Sequence, residues 1–303
     1  MSRFVRSFVF LAVGAGATAA GMMAWPIGMD PPDGLDMLTG DVDRGAYLAR
    51  ASGCIACHSN FEAGGAPLAG GKPIVTRFGT FYPPNITTDP EHGIGAWTVS
   101  DFARAVRQGI SPEGDPYYPT FTYMFYGDFS DQDIADLWSA FQTVPAVAEP
   151  SPPQEAIFPL GQRWVMKLWR AAFLMEPDTA ADPEQTAQWN RGKWLVEGAG
   201  HCGACHTPRN LAGARIDTER FAGNDRLPEK NQAPAIRPTD LRDSGWDLTS
   251  LAYALRSGIM PDGDVFGGTM AEVVTEGTRF LSDDDLTAIA TYLLQSNLPE
   301  DTN

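Results

Sequence analysis

All four cysteines of this 303-residue chain fall in two copies of one five-residue pattern, Cys54-Ile55-Ala56-Cys57-His58 and Cys202-Gly203-Ala204-Cys205-His206. Cysteines three apart on a helical turn share a face, so both thiols can add to the two vinyl groups of one haem. The adjoining histidine then lies beneath the iron and supplies the proximal imidazole. The expectation is two covalently bound haem c groups, tethered by Cys54, Cys57, Cys202 and Cys205, with His58 and His206 on iron. A zinc site would bring the two pairs close together in sequence, and a thioredoxin-like motif would sit beside a βαβ pattern. Neither context is present.

The chain around the motifs is also duplicated. Arg44-Gly45-Ala46-Tyr47-Leu48 precedes the first and Arg191-Gly192-Lys193-Trp194-Leu195 the second. A Gly- and Pro-rich loop follows each, then Trp97 or Trp246 opens a helix containing Arg107 or Arg256, an offset of 149 (97 to 246, 107 to 256). Both helices run into matching turns, Pro112-Glu113-Gly114-Asp115 and Pro261-Asp262-Gly263-Asp264. A last helix opens on Ser130 or Ser282 with aspartates in its first turn, the signature of a capping box. Ile134, Leu137, Trp138 and Phe141, like Leu286, Ile289, Tyr292 and Leu293, recur at helical spacing and are core positions. Trp97 and Trp246 serve either the porphyrin edge or plain core packing. The organisation expected is 1–30 as a membrane anchor or signal, 41–145 as a first haem domain, 146–185 as a linker with an amphipathic helix, and 186–300 as a second haem domain. In that linker helix, about 161–175, Arg163, Lys167 and Arg170 form a basic stripe, suited to an interface between domains or to a lipid surface.

A haem that only carries electrons is six-coordinate, and Met and His are the common distal groups. Met270, in the small-residue stretch Gly267-Gly268-Thr269-Met270, is the distal candidate of the second copy, where glycines admit close approach of the backbone. In the first copy it is Met124, just before the last helix, with His92 as the alternative and a core role for Met124 as the other reading. His201, next to Cys202, cannot reach the opposite haem face and reads as a surface residue or a support behind the ligands.

The formal charge of −16, from 22 basic and 38 acidic residues, argues against a nucleic-acid partner and suits docking on basic surfaces. At the N-terminus, Arg3 and Arg6 precede Phe8 to Met29, a stretch of roughly 22 residues without charge, long enough to span a bilayer as a helix. The basic flank comes first, so the chain beyond Asp30 is exported. A retained anchor in a bacterial inner membrane, in contact with the lipid bilayer and carrying the haem domains in the periplasm, is the preferred expectation. A signal peptide cleaved near Ala17-Thr18-Ala19 is the alternative.

Thr80-Phe81-Tyr82-Pro83-Pro84-Asn85-Ile86-Thr87-Thr88-Asp89-Pro90, followed by Gly93-Ile94-Gly95-Ala96-Trp97, resembles the cytochrome c subunits of membrane-associated alcohol, gluconate and related dehydrogenases, as does Gly268 through Met270-Ala271-Glu272-Val273-Val274. The resemblance covers about residues 41 to 300. It implies an all-α fold of two tandem class I type cytochrome c-like domains, here after an N-terminal transmembrane helix. It also implies a membrane-associated dehydrogenase as electron donor, with a cytochrome, an oxidase or the quinone pool as acceptor. Those relatives usually carry three haems, and their first distal Met tends to fall in Tyr-Pro-x-Met, where this chain has Tyr118-Pro119-Thr120-Phe121. The function expected is electron transfer without catalysis. The competing reading is a di-haem peroxidase or sulfur-compound oxidase, which requires an open iron, and a Cys-ligated sulfur enzyme would need a fifth cysteine.

Overall fold

Two helix pairs, one in each copy of the repeat, hold the structure together, and each crosses at a glycine. The computed structural model describes residues 21, 25, 27–30, 33–228 and 231–296. Helix α1 (Val42–Ala51) leads into α2 (Cys54–His58); α3 (Val99–Gln108) and α4 (Asp131–Phe141) follow. After the linker helix α5 (Arg163–Phe173), the order returns as α6 (Ala187–Lys193), a π-helical turn (Trp194–Ala199), α7 (Gly203–His206), α8 (Pro238–Asp243), α9 (Leu248–Ser257), α10 (Gly268–Glu276) and α11 (Asp283–Gln295).

The repeated Arg-Gly pair explains how first and last helices meet. A Cβ on Gly45 would overlap the carbonyl oxygen of Asp136 and lie 2.9 Å from Ala140 Cβ. A Cβ on Gly192 would overlap the Ala288 carbonyl and lie 2.8 Å from Tyr292 Cβ. Only glycine lets α1 cross α4, and α6 cross α11, at that spacing. The preceding arginine then clamps the partner helix. Arg44 pairs with Asp133 and Asp136, and Arg191 grips Asp285 through two bonds of 2.8 and 2.7 Å.

Capping follows the sequence. Ser130 and Asp133 form a reciprocal box. Ser282 accepts the Asp285 N–H, but the Asp285 carboxylate is taken by Arg191 and by Tyr47, whose hydroxyl donates at 2.6 Å. Tyr47 belongs to α1, so this bond joins the two copies. Phe129 stacked on Trp194 at 5.6 Å joins them again, and a single apolar core runs through both.

The copies differ in length before the second haem motif. Arg44 and Arg191 are offset by 147, Cys54 and Cys202 by 148, so the second copy has one extra residue. The π turn Trp194–Ala199 absorbs it, with the Gly200 N–H bonded five residues back to Leu195 at 2.6 Å.

Two expectations are corrected. The chain is not all-α: β1 (Ile74–Thr76), β2 (Gly79–Phe81) and β3 (Glu155–Ala156) make an antiparallel sheet in that order. Val75 faces Thr80 across a two-residue turn, and Glu155 adds from the linker opposite Thr80. β1 and β2 are three residues long within a Gly/Pro-rich loop and β3 is two residues in the linker, so they show no periodicity, although Ile, Val, Thr and Phe favour a pleated strand. The N-terminal transmembrane helix is also unsupported. Among the described residues no helix is long and apolar enough to cross a membrane. The far end of the apolar stretch lies on the folded body: Lys167 donates to the Trp25 carbonyl at 2.8 Å, and Gln108 exchanges bonds with Met29 at 2.7 and 2.8 Å. Residues 1–20, 22–24 and 26 lie outside the described residues.

The basic stripe of α5 faces inward. Arg163 donates to the Pro116 carbonyl and lies over the Tyr118 ring. Arg170 donates to the Gln108 carbonyl at 2.7 Å and lies over Tyr123.

Candidate haem-binding site

Each Cys-x-x-Cys-His segment is a single helical turn entered through a left-handed residue, Gly53 at φ 67° and His201 at φ 38°. No disulfide joins the four cysteines. Burial pushes Cys54 up to about 12. Burial likewise raises Cys202 to about 12, with Glu197 and Cys205 adding to it. The two motifs are neighbours in space: a Cβ on Gly53, ahead of Cys54, would lie 3.2 Å from His201, ahead of Cys202.

The histidines carry the decisive geometry. His58 Nδ1 lies 2.7 Å from the Pro84 carbonyl, and His206 Nδ1 lies 2.7 Å from the Pro234 carbonyl. A carbonyl only accepts, so each Nδ1 carries the hydrogen and each Nε2 keeps its lone pair. Burial lowers both imidazoles, the carbonyl bond opposing it in part, which favours the neutral, ligating form. A second-layer acceptor on the remote nitrogen is the usual way a metal-bound histidine is oriented. Two thiols on one turn and an oriented Nε2 after them fit a covalently attached haem in each copy.

The supporting loop is duplicated in detail. The His58 carbonyl accepts the Gly70 N–H and the His206 carbonyl accepts the Gly223 N–H, both at 2.9 Å. Ser59 Oγ accepts the Leu68 N–H, and Thr207 Oγ1 the Phe221 N–H. Leu68 and Phe221 are both buried and both held at φ 62°. The Asn85 stretch fixes Pro84 from the other side. Asn85 is buried, donates to the Val147 and Glu149 carbonyls at 2.8 and 3.0 Å, and accepts from Thr87. The proline carbonyls were not singled out in the sequence, yet Pro84-Asn85-Ile86 and Pro234-Ala235-Ile236 align in the repeat and would have marked them.

The distal candidates are placed differently. Met124 lies in the 3-10 turn Tyr123–Phe125 and is buried in the core. Met270 is not in a loop but in the first turn of α10, half-buried against the same core. The 149-residue offset is kept by the bonds from Tyr117 to Gly109 and from Phe266 to Gly258, and by it Met270 matches Phe121 rather than Met124. His92 sits in a turn whose N–H groups bond to Asp89 Oδ1. Trp97 and Trp246 both pack against the core, and Trp246 stacks on Phe266 at 6.2 Å.

His201 is half-buried. Its ring lies between Phe125 and Tyr126, at 6.0 and 5.9 Å between centroids. Glu197, in the π turn, is 1% exposed, accepts from the Tyr292 hydroxyl at 2.6 Å and meets Arg220 at 3.4 Å. The sequence left His201 as a surface residue or a support behind the ligands and gave Glu197 no place, because Phe125, Tyr126 and Tyr292 come from distant segments. Among the described residues no cluster of three or more His, Cys, Asp or Glu could hold a bare metal ion.

Paired thiols with an oriented imidazole, occurring twice, define a c-type cytochrome. No protein-family model matches the chain. It is 41% identical over 286 residues to a protein of Cereibacter sphaeroides described as a di-haem cytochrome of c type, covering 91% of this chain and 93% of that one. It is 40% identical over 266 residues to the gluconate 2-dehydrogenase cytochrome c subunit of Pantoea cypripedii, covering 83% of this chain and 58% of that one. It is 39% identical over 290 residues to the cytochrome c subunit of the quinone-dependent alcohol dehydrogenase of Gluconobacter oxydans, covering 91% of this chain and 59% of that one. The chain belongs to the di-haem c-type cytochromes. It is an electron-transfer protein with covalently bound haem c, not a catalyst.

Proposed function

We propose that the chain carries two haems c and passes electrons from a membrane-associated dehydrogenase toward a respiratory acceptor, a cytochrome, an oxidase or the quinone pool. One haem is tethered at Cys54 and Cys57 with His58 on its iron, the other at Cys202 and Cys205 with His206. Met124 and Met270 are the distal ligands. The two haem domains, 41–145 and 186–300, flank the linker 146–185 and work in the periplasm. When bound, each haem supplies a one-electron ferric/ferrous couple, and a filled sixth position keeps it to that role. The observation that carries this reading is the matched pair of Nδ1-to-proline-carbonyl bonds, which leaves Nε2 of both histidines free beside paired thiols. The dehydrogenase donor is supported by the gluconate and alcohol dehydrogenase subunits among the relatives.

The test is haem content and ligation of the purified full chain. Mass spectrometry and pyridine haemochrome spectra should give two covalent haems, C57A leaving a single thioether on the first. The reduced protein should ignore carbon monoxide, whereas M124A or M270A should each open one haem to it. One haem per chain, or rapid carbon monoxide binding by the unaltered protein, would refute the assignment.

A further inference from the structure

Three described residues other than glycine hold a clearly positive φ: Leu68, Phe221 and His201. Leu68 and Phe221 are counterparts, but the counterpart of His201 is Gly53, each directly preceding the first cysteine of its motif. The same left-handed turn is therefore easy in one copy and strained in the other. Strain of this kind persists only where the surroundings dictate it, and it collects at functional positions.

Here the surroundings are the other copy. A Cβ on Gly53 would lie 3.2 Å from His201 Cε1 and 3.7 Å from Nε2, so the two counterparts face each other and the glycine makes room for the imidazole. His201 Nδ1 lies 3.0 Å from the Ala199 carbonyl and 3.4 Å from the Tyr126 hydroxyl. The carbonyl only accepts, so the Nδ1 hydrogen is shared between that carbonyl and the Tyr126 oxygen. Tyr126 in turn donates to the Ser52 carbonyl at 2.9 Å. One side chain thus ties the residues ahead of Cys54 to the residue ahead of Cys202. Among the described residues nothing equivalent exists on the glycine side.

We propose that His201 is a positioning residue that fixes the first haem segment against the second and so sets the equilibrium ratio in which one electron is shared between the two haems. This rests on the two-haem reading above. The exchange moves one electron from one iron to the other, with no bond made or broken and no proton required.

The experiment uses the full-length haem-loaded protein and the variants H201G, H201N and Y126F. Haem content comes first: a wild-type protein without two haems would sink the two-haem reading, a failure distinct from that of the present proposal. A redox titration followed by electron paramagnetic resonance then gives the ratio in which a single electron divides between the sites. H201G should keep both haems and change that ratio by roughly 2- to 30-fold, the range over which residues linking two sites alter their coupling. Asparagine tolerates the left-handed backbone and places a polar atom near the Nδ1 position, so H201N should return toward wild type. An H201G protein with two haems and an unaltered ratio would overturn the proposal, as would an H201N protein no closer to wild type than H201G. If H201G fails to take up both haems, Y126F decides. An altered ratio there supports the proposal, and an unaltered one overturns it.

Discussion

Replacing Gly45 with alanine tests the account of helix crossing by its sign. In the middle of an isolated helix, Gly to Ala adds about 1 kcal/mol of stability through backbone entropy. In this protein the new methyl would overlap the Asp136 carbonyl and lie 2.9 Å from Ala140 Cβ, against about 3.5–4.0 Å for a comfortable carbon contact. Those atoms are backbone and Cβ, which no rotamer change moves, so α1 and α4 must separate by about an ångström. Overpacking of this kind costs about 1–3 kcal/mol, and an immovable obstacle puts it near the top of that range. Separation also pulls Arg44 from Asp133 and Asp136. The net is a loss of about 2 kcal/mol, which at about 2–4 °C per kcal/mol lowers Tm by about 4–8 °C. Thermal unfolding of the haem-loaded protein followed by circular dichroism measures it. Gly192→Ala should behave alike, since its methyl would meet Ala288 and Tyr292 in the same way. A G45A protein as stable as wild type, or more so, would refute the close crossing.

Asp136 is buried, which alone would raise its pKa, but the Asp41 N–H, Gln132 and Arg44 more than offset that and hold it below 3.8. Its contribution is present above pH 3.8 and lost as pH falls through the folded value, so D136N should cost about 1.5–3 kcal/mol at pH 7 and flatten the acid limb of the Tm profile. Glu197 is the opposite case: burial raises it above 4.5, Arg220 and Tyr292 only partly opposing. The folded state then holds more protons than the unfolded one above pH 4.5, so stability falls as pH rises through the folded value, and E197Q should remove that fall in a Tm-against-pH series. Asn85→Ala leaves the Glu149 carbonyl without the Asn85 donor and the Val147 carbonyl with only the Glu149 N–H, and should lower stability by about 1–3 kcal/mol, read by urea unfolding.

What was legible in the sequence is what covalent chemistry or local geometry dictates. The Cys-x-x-Cys-His spacing, the serine caps and the apolar faces of the last helices all stand in single short segments. The repeat of Arg-Gly was visible as letters, but its meaning needed a second helix: a glycine shows that space is scarce, not what fills it. The sheet escaped because each strand is too short to display a period and one of them lies some 75 residues from its partner. His201 was left between a surface and a supporting role because its spacing from Cys202 says only which haem face it cannot reach, while its neighbours Phe125, Tyr126 and Gly53 all come from the other copy.

The two copies therefore sort their residues into two kinds. The matched ones build the holder: Arg44 and Arg191 clamping the last helices from the first, Gly45 and Gly192 at the crossings, Pro84 and Pro234 behind the histidines, Leu68 and Phe221 in the supporting loops. The unmatched ones surround that holder with different chemistry: Phe121 against Met270, Gly53 against His201, and a π turn carrying the buried Glu197 in the second copy only. Two haems held by the same means but set in unlike fields would differ in electron affinity, and that difference would bias where a single electron resides. The Glu197 carboxylate lies on the turn whose Val196 carbonyl accepts the Cys202 N–H at 3.1 Å, so its charge bears first on the second site. An ionised carboxylate there would favour the ferric form, so raising the pH should lower the potential of the second haem more than that of the first, and E197Q should abolish the difference. Equal pH dependence of both haems in wild type and variant would show that the unmatched residues do not distinguish the two sites.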